Sequence, residues 1–173
     1  AFFGTDEFSV IVLDELKKAG FLPALLITAT DKKMGRGMHL TSPPVKKRMM
    51  NYELGIKNKI KILQPQKLDD DFYHTLNAKP YTLFIVASYG KIIPKRILDI
   101  PAHGALNVHP SLLPLYRGPS PLESQILDGV EETGVTIMLM DEQVDHGPIL
   151  AQEKVNEALW ETLGGRSGLA ERP

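Results

Sequence analysis

Apolar runs of strand length alternate along this chain with segments whose apolar positions recur every three or four residues. That alternation predicts an α/β domain with a largely parallel sheet, because parallel strands need helical crossovers between them. Ala1-Phe2-Phe3 reads as the last part of a strand whose start is missing, and no initiator Met is present. Phe8, Ile11, Val12, Leu16 and Ala19 predict one apolar helical face, with Thr5 or Asp6 as its cap and Gly20 as its stop. Residues 22–30 predict a buried strand, and 31–42, which contain Gly35-Arg36-Gly37, an exposed loop. Ser42-Pro43-Pro44 opens a basic helix ending near Gly55, as Pro in a first turn allows. Ile60 and Ile62 mark a short strand, and 69–77 a helix with acids in its first turn.

Residues 81–88 are the most apolar run, which predicts a strand at the centre of the sheet. A short helix over 94–100 leads to a strand at 104–108. The Pro-rich loop from His109 to Ser120 follows, then a helix over 121–128 and strands at 134–140 and 149–155. Beyond Asn156 the pattern fades, and the Gly-rich run at 164–168 predicts a flexible tail. The expected domain therefore covers residues 1–155, with 156–173 as a tail. A chain of 173 residues suits one such core.

Composition narrows the class of partner. No apolar run reaches the roughly 18 residues that a membrane span needs, so no membrane partner is expected. The absence of cysteine excludes disulfides and thiolate metal sites and fits a reducing cytoplasm. The net charge of -1 hides a lopsided distribution. Lys32, Lys33, Arg36, Lys46, Lys47, Arg48, Lys57, Lys59, Lys61 and Lys67 hold half of the 20 basic residues, and within their span only Glu53 opposes them. Such a stretch can attract a polyanion, or can simply form a solvated face.

In open α/β sheets ligands bind at the carboxyl ends of strands, near the point where strand order reverses. The polar segments so placed are Gly4-Thr5, Ser88-Tyr89-Gly90 and Asn107 to Ser111, and a further loop, Asp141 to Gly147, lies between two strands. Neither GxGxxG nor a Walker loop occurs, which removes support for nucleotide redox and ATP chemistry. Asn107 and His109 stand two apart at a strand end, so both side chains lean to one face. An amide donor beside a group that titrates near neutrality suits acyl-type transfer, where charge develops on a carbonyl oxygen. Asp145 could orient the imidazole and favour its charged form. The plainer alternative is a His that satisfies one hydrogen bond and an Asn that serves a turn. None of the histidines forms an HxxxH or HExxH spacing, so no metal is expected, although His109, Asp145 and His146 could converge. Ser111 lacks the GxSxG elbow of a nucleophile.

From Asn107 to Gly118 the chain reads Asn-Val-His-Pro-Ser-Leu-Leu-Pro-Leu-Tyr-Arg-Gly, and further on Asp145-His146-Gly147-Pro148-Ile149. Together these resemble the signature and the Asp-x-Gly segment of the folate-dependent formyltransferases, over about Phe2 to Val155. Phe3-Gly4-Thr5-Asp6-Glu7-Phe8 is similar to the opening Gly-Thr-Pro-Glu-Phe turn of the members that act on methionyl-tRNA, with Asp6 in place of Pro. Gly35-Arg36-Gly37-Met38-His39-Leu40 with Pro44-Val45-Lys46 resembles the basic loop with which those members approach the tRNA acceptor end. Glu132 to Met138, followed by Met140-Asp141-Glu142, also matches them.

The resemblance implies a Rossmann-like formyltransferase fold, 10-formyltetrahydrofolate as the formyl donor and co-substrate, and initiator methionyl-tRNA as the acceptor. It implies that Asn107, His109 and Asp145 are catalytic. It assigns folate contacts to Ser111, Leu112, Leu113 and Pro114, to Tyr89, Gly90 and Ile92, and to Asp141 and Val144. It assigns tRNA contacts to Arg36, Lys32, Lys33, Gly35 and Gly37. A cytoplasmic monomer is expected. The members it resembles continue into a small β-barrel domain that is expected to be absent here, and residues 160–173 do not resemble their usual helix. Other acceptors stay open: an amino sugar, water in a formyltetrahydrofolate hydrolase, or none at all in an idle domain that binds folate or RNA.

Overall fold

A computed structural model describes residues 1–53 and 60–155. The predicted end of the basic helix at Gly55, Lys57, Lys59 and the tail over 156–173 lie outside those residues. The chain divides into two compact units, Ala1–Leu106 and Asn107–Pro173. Its seven-stranded sheet runs, from edge to edge, β5 (Lys61–Leu63), β2 (Leu25–Ile27), β1 (Phe2–Gly4), β6 (Phe84–Ala87), β7 (Ala105–His109), β8 (Gly134–Leu139) and β9 (Ile149–Lys154). β6 is the fourth of the seven, as its apolar run predicted. Most of the sheet is parallel and flanked by helices, the Rossmann-like α/β class that the alternating pattern and the resemblance implied.

In the first unit β1 pairs in parallel with β2 on one side and β6 on the other. The chain moves outward from β1 to β2 and β5, then returns to β6, so strand order reverses between β1 and β6. Gly4 stands opposite Ala87 in the register, which brings Thr5 and Ser88 out at the same end. There the Thr5 hydroxyl donates to the Tyr89 carbonyl at 2.9 Å. Phe2, Phe3, Phe84, Leu26 and Ile27 are fully buried, and the Phe3 ring lies 5.1 Å from Phe84 and 5.3 Å from Tyr89.

Helix α1 (Glu7–Lys18) begins where predicted: Asp6 is its cap, accepting from the Ser9 N–H at 3.2 Å. It ends at Gly20, whose φ of 84° lets its N–H reach the Lys17 carbonyl and that of Phe21 the Leu16 carbonyl. The buried stripe differs from the expected one. Leu13 and Ser9 face the core, Phe8, Val12 and Leu16 flank them, and Ile11 and Ala19 face outward. Ser9 takes a core position because its hydroxyl donates to the Ala87 carbonyl at 2.6 Å, a requirement that hydrophobicity does not reveal.

Residues 31–42 are not a plain loop. β3 (Lys32–Met34) and β4 (His39–Thr41) form an antiparallel hairpin, turned by Gly35 at φ 74° and Met38 at φ 48°. The alternation was too short and too polar to announce strands. Helix α2 (Pro44–Glu53) follows, and its basic residues have structural duties. Lys46 Nζ reaches both Asp31 oxygens at 2.9 Å and Gln64 Oε1 at 2.7 Å, tying the hairpin root to the helix. Arg48 Nε donates to Asp14 at 2.9 Å, and the Tyr52 hydroxyl donates to the same carboxylate. Part of the basic stretch is thus neutralised by acids outside it. The remaining helices are α3 (Asp70–Asn77), capped by Asp69, and α4 (Lys95–Leu98).

In the second unit α5 (Pro121–Leu127) precedes β8, and β8 pairs antiparallel with β9. β9 is exposed along its whole length. Among the described residues no helix is long and apolar enough to cross a membrane.

The Arg48 guanidinium, with the Tyr52 hydroxyl, holds Asp14 down to about 2 against the opposing effect of burial. A carboxyl whose folded value lies below its unfolded one stabilises the fold above the unfolded value, near 3.8, and loses that contribution as pH falls through the folded one. Denaturant titrations between about pH 4 and about pH 2 should therefore show a steeper loss of stability in the wild type than in Asp14→Asn.

Candidate active site

The carboxylate of Asp145 is the point on which the second unit's polar residues converge. Asn107 and His109 project from the end of β7 on one face, as a period of two requires. Asn107 Nδ2 donates to Asp145 Oδ1 at 3.0 Å, and His109 Nδ1 lies 3.6 Å from the same oxygen. The other oxygen, Oδ2, accepts the Gly118 backbone N–H at 2.8 Å. The His109 and Asp145 side chains are only 5% and 10% exposed, so these contacts act with little screening. The three residues that the sequence singled out do come together.

The ring of His109 is not oriented chiefly by Asp145. At 3.6 Å the two form an ion pair when the ring is charged, but the distance is too long for a good hydrogen bond. The closer partner is the Tyr116 carbonyl, 2.9 Å from Nε2. A carbonyl can only accept, so Nε2 carries a hydrogen. Residue type gave no hint of this contact, because any backbone carbonyl could make it. The same holds for the Gly118 N–H. Positive φ values of 56° at Tyr116 and 107° at Gly118 mark the sharp turning of the loop that supplies both groups.

Polar side chains, of which Thr136 and Gln125 are buried, hold that loop, and the sequence reading missed them. Thr136 on β8 donates to the Ser111 carbonyl at 2.6 Å and accepts the Leu113 N–H at 3.2 Å. Gln152 on β9 donates to the Leu113 carbonyl at 3.0 Å and to the Thr136 hydroxyl at 2.8 Å. Gln125, 1% exposed, donates to the carbonyls of Pro110 and Pro121, both at 2.9 Å, and its own oxygen accepts from Thr133. Polar residues at apolar-period positions were the available signal: a buried Gln or Thr must find partners.

This network consumes much of the Ser111–Pro114 run. Ser111 is fully buried with its hydroxyl on the Leu115 carbonyl at 2.7 Å, and both backbone groups of Leu113 are engaged. Leu112 is half-buried and Pro114 exposed, and these two are left to meet a ligand. In the Asp141–Gly147 loop Val144 is exposed, while Asp141 accepts from His146 Nδ1 and from the Gln143 N–H, both at 2.8 Å. The His146 contact, with the Gln143 N–H, lowers the Asp141 carboxyl below its ordinary value. Asp145 sits at φ 48°, a conformation Asp tolerates better than most residues.

The first unit holds the other expected ligand residues. Tyr89 is buried, and its hydroxyl has no hydrogen-bond partner among the described residues; burial pushes its phenol well above the usual range. Gly90 takes φ 77° with open space around it, and Ile92 is 79% exposed. Lys32, Lys33, Gly35, Arg36 and Gly37 are all exposed on the β3–β4 hairpin. No group of His, Asp and Glu suited to a metal ion occurs among the described residues.

The second unit thus gathers an amide, an imidazole and a carboxylate at the end of a strand of a Rossmann-like sheet. The chain is similar to the crystal structure of a phosphoribosylglycinamide formyltransferase from Bacillus halodurans, with a TM-score of 0.67 and 28% identity over 94% of this chain and 85% of that one. It belongs to the formyl transferase family, whose model matches residues 1–164. The methionyl-tRNA formyltransferase of Thermodesulfovibrio yellowstonii is 42% identical over 156 residues, covering 90% of this chain and 49% of that protein. That of Chloroflexus aurantiacus is 45% identical over 156 residues, covering 90% and 48%. The chain thus spans about half the length of the curated relatives it matches.

The Asp145 loop depends on Gly147. A Cβ there would stand 1.9 Å from the Leu139 carbonyl oxygen, a backbone atom that cannot yield. Gly147→Ala should cost about 2 kcal/mol or more of stability. Amide exchange should also show reduced protection at the Gly118 N–H as Asp145 shifts, whereas unchanged protection there would separate Gly147 from the site.

Proposed function

We propose that this chain transfers the formyl group of 10-formyltetrahydrofolate to the α-amino group of methionyl-tRNA. The convergence of Asn107, His109 and Asp145 in one buried cluster carries this reading, and the relatives at 42% and 45% identity support the acceptor. The donor set fits the reaction. The folate would supply a formyl carbon activated by its bond to N10; the residues supply what is needed as charge moves from that carbon to its oxygen.

Asn107 has two N–H groups and spends one on Asp145, which leaves the second to meet the carbonyl oxygen. His109 has Nε2 committed to Tyr116, so Nδ1 is the nitrogen that can hold or release a proton. Asp145 stabilises the charged ring and fixes the amide, and it can pass a proton from the attacking amine toward the leaving nitrogen. That amine must be neutral to attack, and α-amines titrate near ~7.7. Leu112, Pro114, Asp141 and Val144 of the second unit are the residues we assign to folate. Ser111 and Leu113 serve as its scaffold.

Lys32, Lys33 and Arg36 on the hairpin have no side-chain partner among the described residues and suit the RNA backbone, with Gly35 and Gly37 giving the turn its close approach. The Lys46–Asp31–Gln64 cluster would hold the hairpin root in place during that encounter.

Formyl transfer to charged initiator tRNA, with a no-acceptor control, tests the reading. Asn107→Ala and His109→Ala should each lower kcat about 10²–10³-fold while folate affinity survives. Formate release without acceptor would mark a hydrolase instead. Arg36→Ala should raise the tRNA KM and shallow its salt dependence, with a slope change of about 0.7–0.9 for each phosphate that is no longer neutralised. An unchanged slope would remove Arg36 from RNA binding.

A further inference from the structure

We propose that Tyr116 and Asp128 are positioning residues that fix the tautomer of His109, and so decide which ring nitrogen serves the reaction; this rests on the function proposed above. Four observations carry it. The Tyr116 carbonyl lies 2.9 Å from His109 Nε2, so that nitrogen is protonated whether the ring is neutral or charged. The opposite nitrogen, Nδ1, faces Asp145 Oδ1, on the side where Asn107 also points. Tyr116 adopts φ 56°, a conformation a tyrosine rarely takes without something to hold it. Its hydroxyl donates to Asp128 Oδ2 at 3.1 Å, and Asp128 is the residue that ends helix α5.

The chain of contacts therefore runs from the end of α5, through the Tyr116 side chain, to the backbone carbonyl that aims the imidazole. An imidazole free to exchange tautomers would carry its proton on Nδ1 part of the time, leaving its basic lone pair on Nε2, away from Asn107 and Asp145. A fixed Nε2–H leaves Nδ1 as the one basic nitrogen of the neutral ring. The Tyr116–Asp128 contact is at the surface, so its loss should leave the fold intact while loosening the ring. Tyr116 acts on the reaction only through its carbonyl on His109, and Asp128 only through Tyr116.

The test combines ¹⁵N chemical shifts of the His109 ring, at a pH where the ring is neutral, with steady-state kinetics of the full chain. The wild type should show a single Nε2–H tautomer. Tyr116→Phe and Asp128→Ala should each show a tautomer mixture and lower kcat about threefold to tenfold with the folate KM unchanged, and the double variant should be no worse than either alone. Asp128→Asn keeps an acceptor for the hydroxyl and should restore the single tautomer and the rate. An Nδ1–H tautomer in the wild type, or a single unaltered tautomer in Tyr116→Phe, would overturn the inference. If the wild type transferred no formyl group at all, the proposed function would fail, while the ring shifts would still decide the role of Tyr116.

Discussion

A carboxylate removed from water must be met by hydrogen-bond donors or by a positive charge, and in the second unit that demand falls on Asp145. Its two oxygens take the Asn107 amide and the Gly118 N–H, with the His109 ring alongside. The end of β7 and the loop that follows it are thereby drawn to a distant point in the chain, the turn before β9. If Asp145 moved, Asn107 would lose the bond that orients its amide and Gly118 would be left with an unmet donor. The demand also runs in reverse. Asp145 reaches its position only because Gly147 lets the turn lie against the Leu139 carbonyl, where any side chain would collide.

The loop that surrounds this carboxylate is rigid for a separate reason. Between Ser111 and Leu113 its backbone passes through the interior, where every N–H and C=O needs a partner. Thr136, Gln152 and Gln125 provide them from β8, β9 and α5, and each makes more than one bond. Such a network, with Thr136 and Gln125 buried and Gln152 at its exposed edge, specifies one conformation, since any shift leaves several polar groups unmet at once. Tyr116 follows that frame, and its hydroxyl on Asp128 holds the conformation that aims its carbonyl at His109.

Charge in the first unit divides by duty. Lys46 and Arg48 of α2 meet Asp31 and Asp14, so their contribution is to hold the hairpin root and to clamp α1 against α2. Lys32, Lys33 and Arg36 lie on the hairpin itself and face solvent. Counting basic residues could not separate the two groups, because the acids that neutralise the first come from elsewhere in the chain.

Sequence alone determined the α/β class, the order of the main strands and helices, and the pairing of Asn107 with His109 on one face. Each follows from a local rule: the period of apolar residues, the cap at Asp6, the stop at Gly20 and the two-residue repeat of a strand. Asp145 offered a carboxylate that could orient the imidazole, and the resemblance of the run from Asp145 to Ile149 to an Asp-x-Gly segment pointed to it as well. Tertiary structure decided the rest. The hairpin at 32–41, the buried place of Ser9, the internal use of Ser111 and the Tyr116 carbonyl on His109 all depend on groups distant in the chain. Two of the site's key partners are backbone atoms, which every residue carries, so no choice of side chain could have announced them.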